Sequence, residues 1–94
     1  KIKIREDIHV ILHRNSDNMG LSISSYLALI AYYQKKTNKM KNLDAELRNV
    51  KGRRQDFYFG ESVIDVLNEL SGFPKKNRTR FVCNLIVAYD GYFA

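Results

Sequence analysis

The feature that most limits what this chain can become is an internal repeat at an offset of 55 residues. Laid over itself without gaps, the sequence sets Ile2 against Phe57, Ile4 against Phe59 and Glu6 against Glu61. Ile8 then meets Val63, Ile11 meets Val66, Leu12 meets Leu67 and Ser16 meets Ser71. Further on, Ser24 meets Thr79, Tyr26 meets Phe81, Leu27 meets Val82 and Ile30 meets Leu85. Each match is weak alone. Together they hold apolar positions in phase across three successive elements, as two copies of one supersecondary unit would.

Each unit reads strand, helix, helix. "KIKIR" (1–5) alternates, with Ile2 and Ile4 on one face and Lys1, Lys3 and Arg5 on the other. "QDFYF" (55–59) does the same, with Phe57 and Phe59 opposed to Asp56 and Tyr58. Period-two alternation of branched and aromatic residues predicts half-buried strands. Ile8, Ile11 and Leu12 then share one helical face, and so do Val63, Val66, Leu67 and Leu70. Acidic Glu6, Asp7 and Glu61 suit the positive end of a helix dipole. Gly20 offers the left-handed geometry of a helix C-cap, while Pro74 ends one helix and permits another. Second helices are predicted from Ser22–Ser24, with Ile23, Tyr26, Leu27 and Ile30 inward, and from Asn77–Thr79, with Phe81, Val82, Leu85 and Ile86 inward. Ser, Thr and Asn cap helix starts, and a helix start is also a place where phosphate binds.

A lone strand with two short helices leaves its strand unpaired and its apolar face open. With 94 residues, the chain has room for one small domain in which both units share a core. The organisation expected is a first unit at 1–36, a basic linker at 37–53 and a second unit at 54–94. Within the linker "LDAELRNV" is a candidate short helix between mobile basic flanks.

Charge is unevenly spread. Residues 1–37 carry net +3, residues 38–54 net +4 and residues 55–94 net −1, which together give +6. Such a balance favours a polyanionic partner, nucleic acid before an anionic membrane. No apolar run reaches the ~18 residues of a membrane span, and no signal-peptide pattern opens the chain. Cys83 is the only cysteine and is expected in the core. A cytoplasmic location fits that usage. His9 and His13 sit four apart on one helix, but no third ligand accompanies them, so they are read as surface or core-edge residues with no metal and no cofactor. No glycine-rich phosphate loop, nucleophile motif or acid pair is present, and no enzyme is expected.

The alternating strand, amphipathic helix and glycine turn, followed by "GLSISSYLALIAYYQKK" (20–36), resemble the ribbon-helix-helix, or MetJ/Arc/CopG-like, superfamily of DNA-binding proteins. The resemblance is good over 1–36 and moderate over 54–90, where "FPKKNRTRF" replaces the usual glycine turn. It implies a mostly α fold with a short two-stranded antiparallel β-ribbon. Here the ribbon would form within one chain, 1–5 against 55–59, as a tandem pseudodimer. Tandem units resemble the TraY-type relaxosome accessory proteins of conjugative plasmids.

The resemblance further implies that the ribbon enters the major groove of double-stranded DNA. Base-reading residues would be Lys1, Lys3, Arg5, Arg54, Asp56 and Tyr58. Phosphate-binding residues would be Ser22, Ser24, Arg53, Lys75, Lys76, Asn77, Arg78 and Thr79. Unlike strands imply an asymmetric site. Implied partners are duplex DNA and a relaxase or other DNA-processing protein, with further copies able to associate on adjacent sites and Tyr32, Tyr33, Tyr92 and Phe93 as candidate contacts. Two alternatives remain: a repressor or plasmid copy or partition regulator of the same fold, and a basic protein–protein adaptor that binds no DNA.

Overall fold

In the computed structural model, residues 2–41, 43, 54–57, 61–71 and 78–93 are described, and the architecture is mostly helical. Strand β1 (Ile2–Arg5) runs directly into helix α1 (Glu6–Met19), and α2 (Ile23–Thr37) follows after a tight turn. Strand β2 (Arg54–Phe57), α3 (Glu61–Ser71) and α4 (Arg78–Ala88) complete the order. The 55-residue offset is visible in the helix starts: α1 begins at 6 and α3 at 61, α2 begins at 23 and α4 at 78. The ends of α2 and α4 do not match: α2 runs to Thr37, whereas α4 stops at Ala88, the counterpart of Tyr33.

β1 and β2 pair antiparallel, with Ile2 opposite Phe57, Lys3 opposite Asp56, Ile4 opposite Gln55 and Arg5 opposite Arg54. The antiparallel pairing expected of the two segments is present among the described residues. Direct partners in an antiparallel pair share a face. The observed register keeps Ile2 with Phe57 and Lys3 with Asp56. Lys1, Tyr58 and Phe59 lie outside the described residues.

Beneath the ribbon lies one core. Ile4 is fully buried, with Ile8 and Leu12 of α1, Tyr26, Leu27 and Ile30 of α2, Val66 and Leu67 of α3, and Phe81, Val82, Leu85 and Ile86 of α4. Burying one such aliphatic or aromatic side chain contributes about 1.5–3 kcal/mol. Cys83 is buried as expected. Contacts between helices come in matched sets: α1 on α2 as α3 on α4, α1 on α4 as α3 on α2, and α2 on α4 across the middle. Exchanging the two units leaves that set unchanged.

Gly20 ends α1 in the left-handed region at φ 68°. Its N–H donates to Asp17 O, and Leu21 N–H donates to Ser16 O. That double closure satisfies the last carbonyls and turns the chain into α2. At the far end, Asn38 takes the left-handed position after α2 with φ 49°.

The start of the linker is docked, contrary to the mobile flank expected. The buried Gln34 side chain brackets the Met40 backbone: Nε2 donates to Met40 O at 2.8 Å, and Met40 N–H donates to Oε1 at 3.0 Å. Tyr89 Oη–H, also buried, donates to the same Oε1 at 2.6 Å. Asn84 Nδ2 donates to Leu43 O at 2.6 Å, and Leu43 is itself buried. A backbone with such partners is no longer a free tether. The rest of the candidate linker helix lies outside the described residues.

Candidate nucleic-acid interface

Two surfaces concern the predicted site. The first is the outer face of the ribbon. Strand alternation puts positions 3, 5, 54 and 56 on the side away from Ile4, with 3 opposite 56 and 5 opposite 54. Four of the six predicted base-reading positions are thereby gathered on one face. The side chains of Lys3, Arg54 and Asp56 are outside the description, as are Lys1 and Tyr58 altogether.

Arg5 is fully described, and it is not a free arm. Its side chain is only 14% exposed, and its guanidinium makes a two-point fork with Asp7: Nε to Oδ1 at 3.0 Å and Nη2 to Oδ2 at 2.8 Å. The fork ties the last strand residue to the first turn of α1. Slight burial works to raise the Asp7 pKa, but the Arg5 hydrogen bond, the Ile8 N–H and the Arg5 charge outweigh it and hold the carboxyl below its ordinary value. The sequence reading gave Asp7 only a helix-dipole role. The missed signal was its spacing: two residues after an arginine, across a strand–helix junction.

The second surface is the start of α2. Ser22 is the N-cap, with extended backbone, and its Oγ accepts from Ser25 N–H at 3.1 Å. The Ser22 hydroxyl also donates to Ser25 Oγ at 2.9 Å. Ser22, Ser24 and Ser25 are all exposed. A helix's own ladder leaves its first-turn N–H groups for outside partners, so this end presents hydroxyls and amides together. Ser25 was not singled out in the sequence, because its neighbour Ser24 fills the repeat match to Thr79. At the equivalent start, α4 opens at Arg78 and Thr79 is half-buried. Arg53, Lys75, Lys76 and Asn77 lie outside the described residues, and of Arg78 only the backbone is described.

Elsewhere, His9 and His13 face each other on α1 with ring centroids 4.3 Å apart. Burial, and then the charge of His13, lower the His9 pKa, against an opposite pull from Glu6. Of the aromatics considered for assembly, Tyr33 and Phe93 are half-buried in a cluster with Tyr89 and Tyr92, where Tyr33 and Tyr92 share a hydroxyl hydrogen bond of 2.9 Å. Tyr32 and Tyr92 remain exposed. Among the described residues, no helix is long and apolar enough to cross a membrane. Compared with family models, curated proteins and solved structures, the chain matches none.

Proposed function

We propose that the chain is a tandem ribbon-helix-helix pseudodimer that binds double-stranded DNA, one polypeptide supplying both strands of a ribbon laid in the major groove. One observation carries the reading: residues lie against their own repeat counterparts at two separate places. Ile2 pairs with Phe57 in the ribbon. Gln34 accepts a hydrogen bond from Tyr89, again 55 residues away. A residue meets its counterpart only beside an axis that exchanges the two units. Two such meetings, with the matched helix contacts, support an internal two-fold, the symmetry by which paired ribbon units build one platform.

A two-stranded ribbon fits the major groove of B-DNA. On the outer face, Lys3 would donate to guanine O6 and N7, and Asp56 would accept from cytosine N4. Arg5 and Arg54 would reach bases or phosphates beside them. Ser22 and Ser24 on one side, with Arg78 and Thr79 on the other, would hold phosphates at the helix starts. Because Lys3 stands opposite Asp56 rather than another lysine, the recognised sequence is not a palindrome. The tandem arrangement favours a relaxosome accessory role at a transfer origin; the alternative, a repressor or plasmid regulator, would use the same face on an operator.

Titration of the chain onto a selected duplex across a salt series tests the reading. Log K should fall with log salt at a slope of about −4 to −7, near −0.9 per phosphate contacted. A flat salt dependence, or equal affinity for random DNA at every salt concentration, would remove the groove-reading function and leave the adaptor alternative.

A further inference from the structure

The His9–His13 pair plays no part in the DNA reading. The two residues are one helical turn apart on α1, and their ring centroids stand 4.3 Å apart with planes inclined at 55°. His13 is exposed and His9 half-buried. Imidazole nitrogens bind first-row dications at about 2.0–2.1 Å. Two nitrogens on one ion are therefore about 3 Å apart, which rings at this separation reach by small side-chain rotations. The same spacing on a helix is how a pair of histidines holds zinc in metal-dependent proteases.

We propose that His9 and His13 form a two-imidazole clamp for a first-row transition dication, of the copper, nickel or zinc type, on the outer side of α1. Neutral imidazole favours these ions over magnesium and calcium, which take oxygen ligands. Among the described residues no group of three or more His, Cys, Asp or Glu side chains is placed to hold a metal ion. Water fills the remaining positions, so the clamp is open and exchangeable rather than a closed structural site. The ion ties residue 9 to residue 13 in the helix that leaves the ribbon strand directly, where Arg5 supplies no side-chain cap. Metal bound to that turn stabilises the fold by mass action, because the unfolded chain does not hold the two rings at this spacing.

The test is calorimetric titration of the full chain with nickel chloride, and separately zinc chloride, alongside thermal melts with and without metal. The wild type should take up one ion per chain, and His13→Gln and His9→Gln should each bind at least about tenfold more weakly, a loss of about 1.4 kcal/mol. Metal should raise the melting temperature of the wild type and leave that of His13→Gln unmoved. Since His13 is exposed, its variant should melt like the wild type when metal is absent. Uptake that is equal in the wild type and both variants, or no saturable uptake at all, overturns the clamp.

Discussion

The two units begin alike and end differently. Their helices start 55 residues apart, yet α2 buries a stripe while α4 buries six consecutive residues, Phe81 to Ile86. The start of the linker also meets the two helices differently. It leaves α2, is gripped by Gln34, and then meets α4 through the bond from Asn84 to Leu43. The position equivalent to Asn84 is Leu29, which stays half-buried. The described start of the linker thus packs on α4 at Leu43. Gln34 and Tyr89, equivalent positions in the repeat, meet as an amide and a phenol.

The largest effects are expected in the core. Ile30→Ala in unit one and Leu85→Ala in unit two remove equivalent, fully buried side chains. Each should cost about 2–5 kcal/mol. Urea unfolding followed by circular dichroism should give a single transition in both variants. Two separated transitions would mean that the units fold alone.

Next in size is Gln34→Ala. It strips partners from the Met40 N–H and carbonyl and from the Tyr89 hydroxyl, and should cost about 1–3 kcal/mol in the same experiment. Leu29→Ala, at the half-buried counterpart of Asn84, should cost clearly less than Asn84→Ala.

Gly20→Ala places a side chain at φ 68° and should cost about 1 kcal/mol, although open space surrounds the position. Ser22→Ala removes the cap of α2 and should cost about 1 kcal/mol. On the DNA reading it should also lower affinity evenly across sequences.

The smallest effect is one of pH. Asp90 follows α4, where Asn15 Nδ2 donates to Oδ1 at 2.8 Å and Arg14 Nη2 lies 2.7 Å from both oxygens. The Asn15 hydrogen bond, then that of Arg14, hold its carboxyl below the ordinary value. A pKa lower in the folded state means that the contribution is complete above the unfolded value and is lost as pH falls through the folded one. Between about pH 6 and about pH 3, spanning ordinary carboxylate titration, the wild type should therefore lose more stability than Asp90→Asn.

Much of the fold was legible because apolar residues repeat in phase. Tyr26, Leu27, Ile30 and their counterparts are all inward, and Gly20 closes α1 as its lack of a side chain suggested. The ladder's register was less legible, since alternation fixes faces but not ends. Gln34 escaped notice because a polar residue late in an amphipathic helix looks like its solvent side. Met40 escaped because it lies in no predicted element, and Leu43, first residue of the candidate linker helix, because nothing in that short segment marks which side chain docks on α4. At the candidate site, positions 3, 5, 54 and 56 were legible from alternation, whereas the Arg5–Asp7 fork depends on side-chain geometry that a pattern does not carry.

Sedimentation equilibrium of the chain on the duplex recovered from a random pool decides whether one polypeptide supplies the whole ribbon. A non-palindromic site should be occupied by one chain of 11.0 kDa. A palindromic site occupied by two chains would contradict that reading.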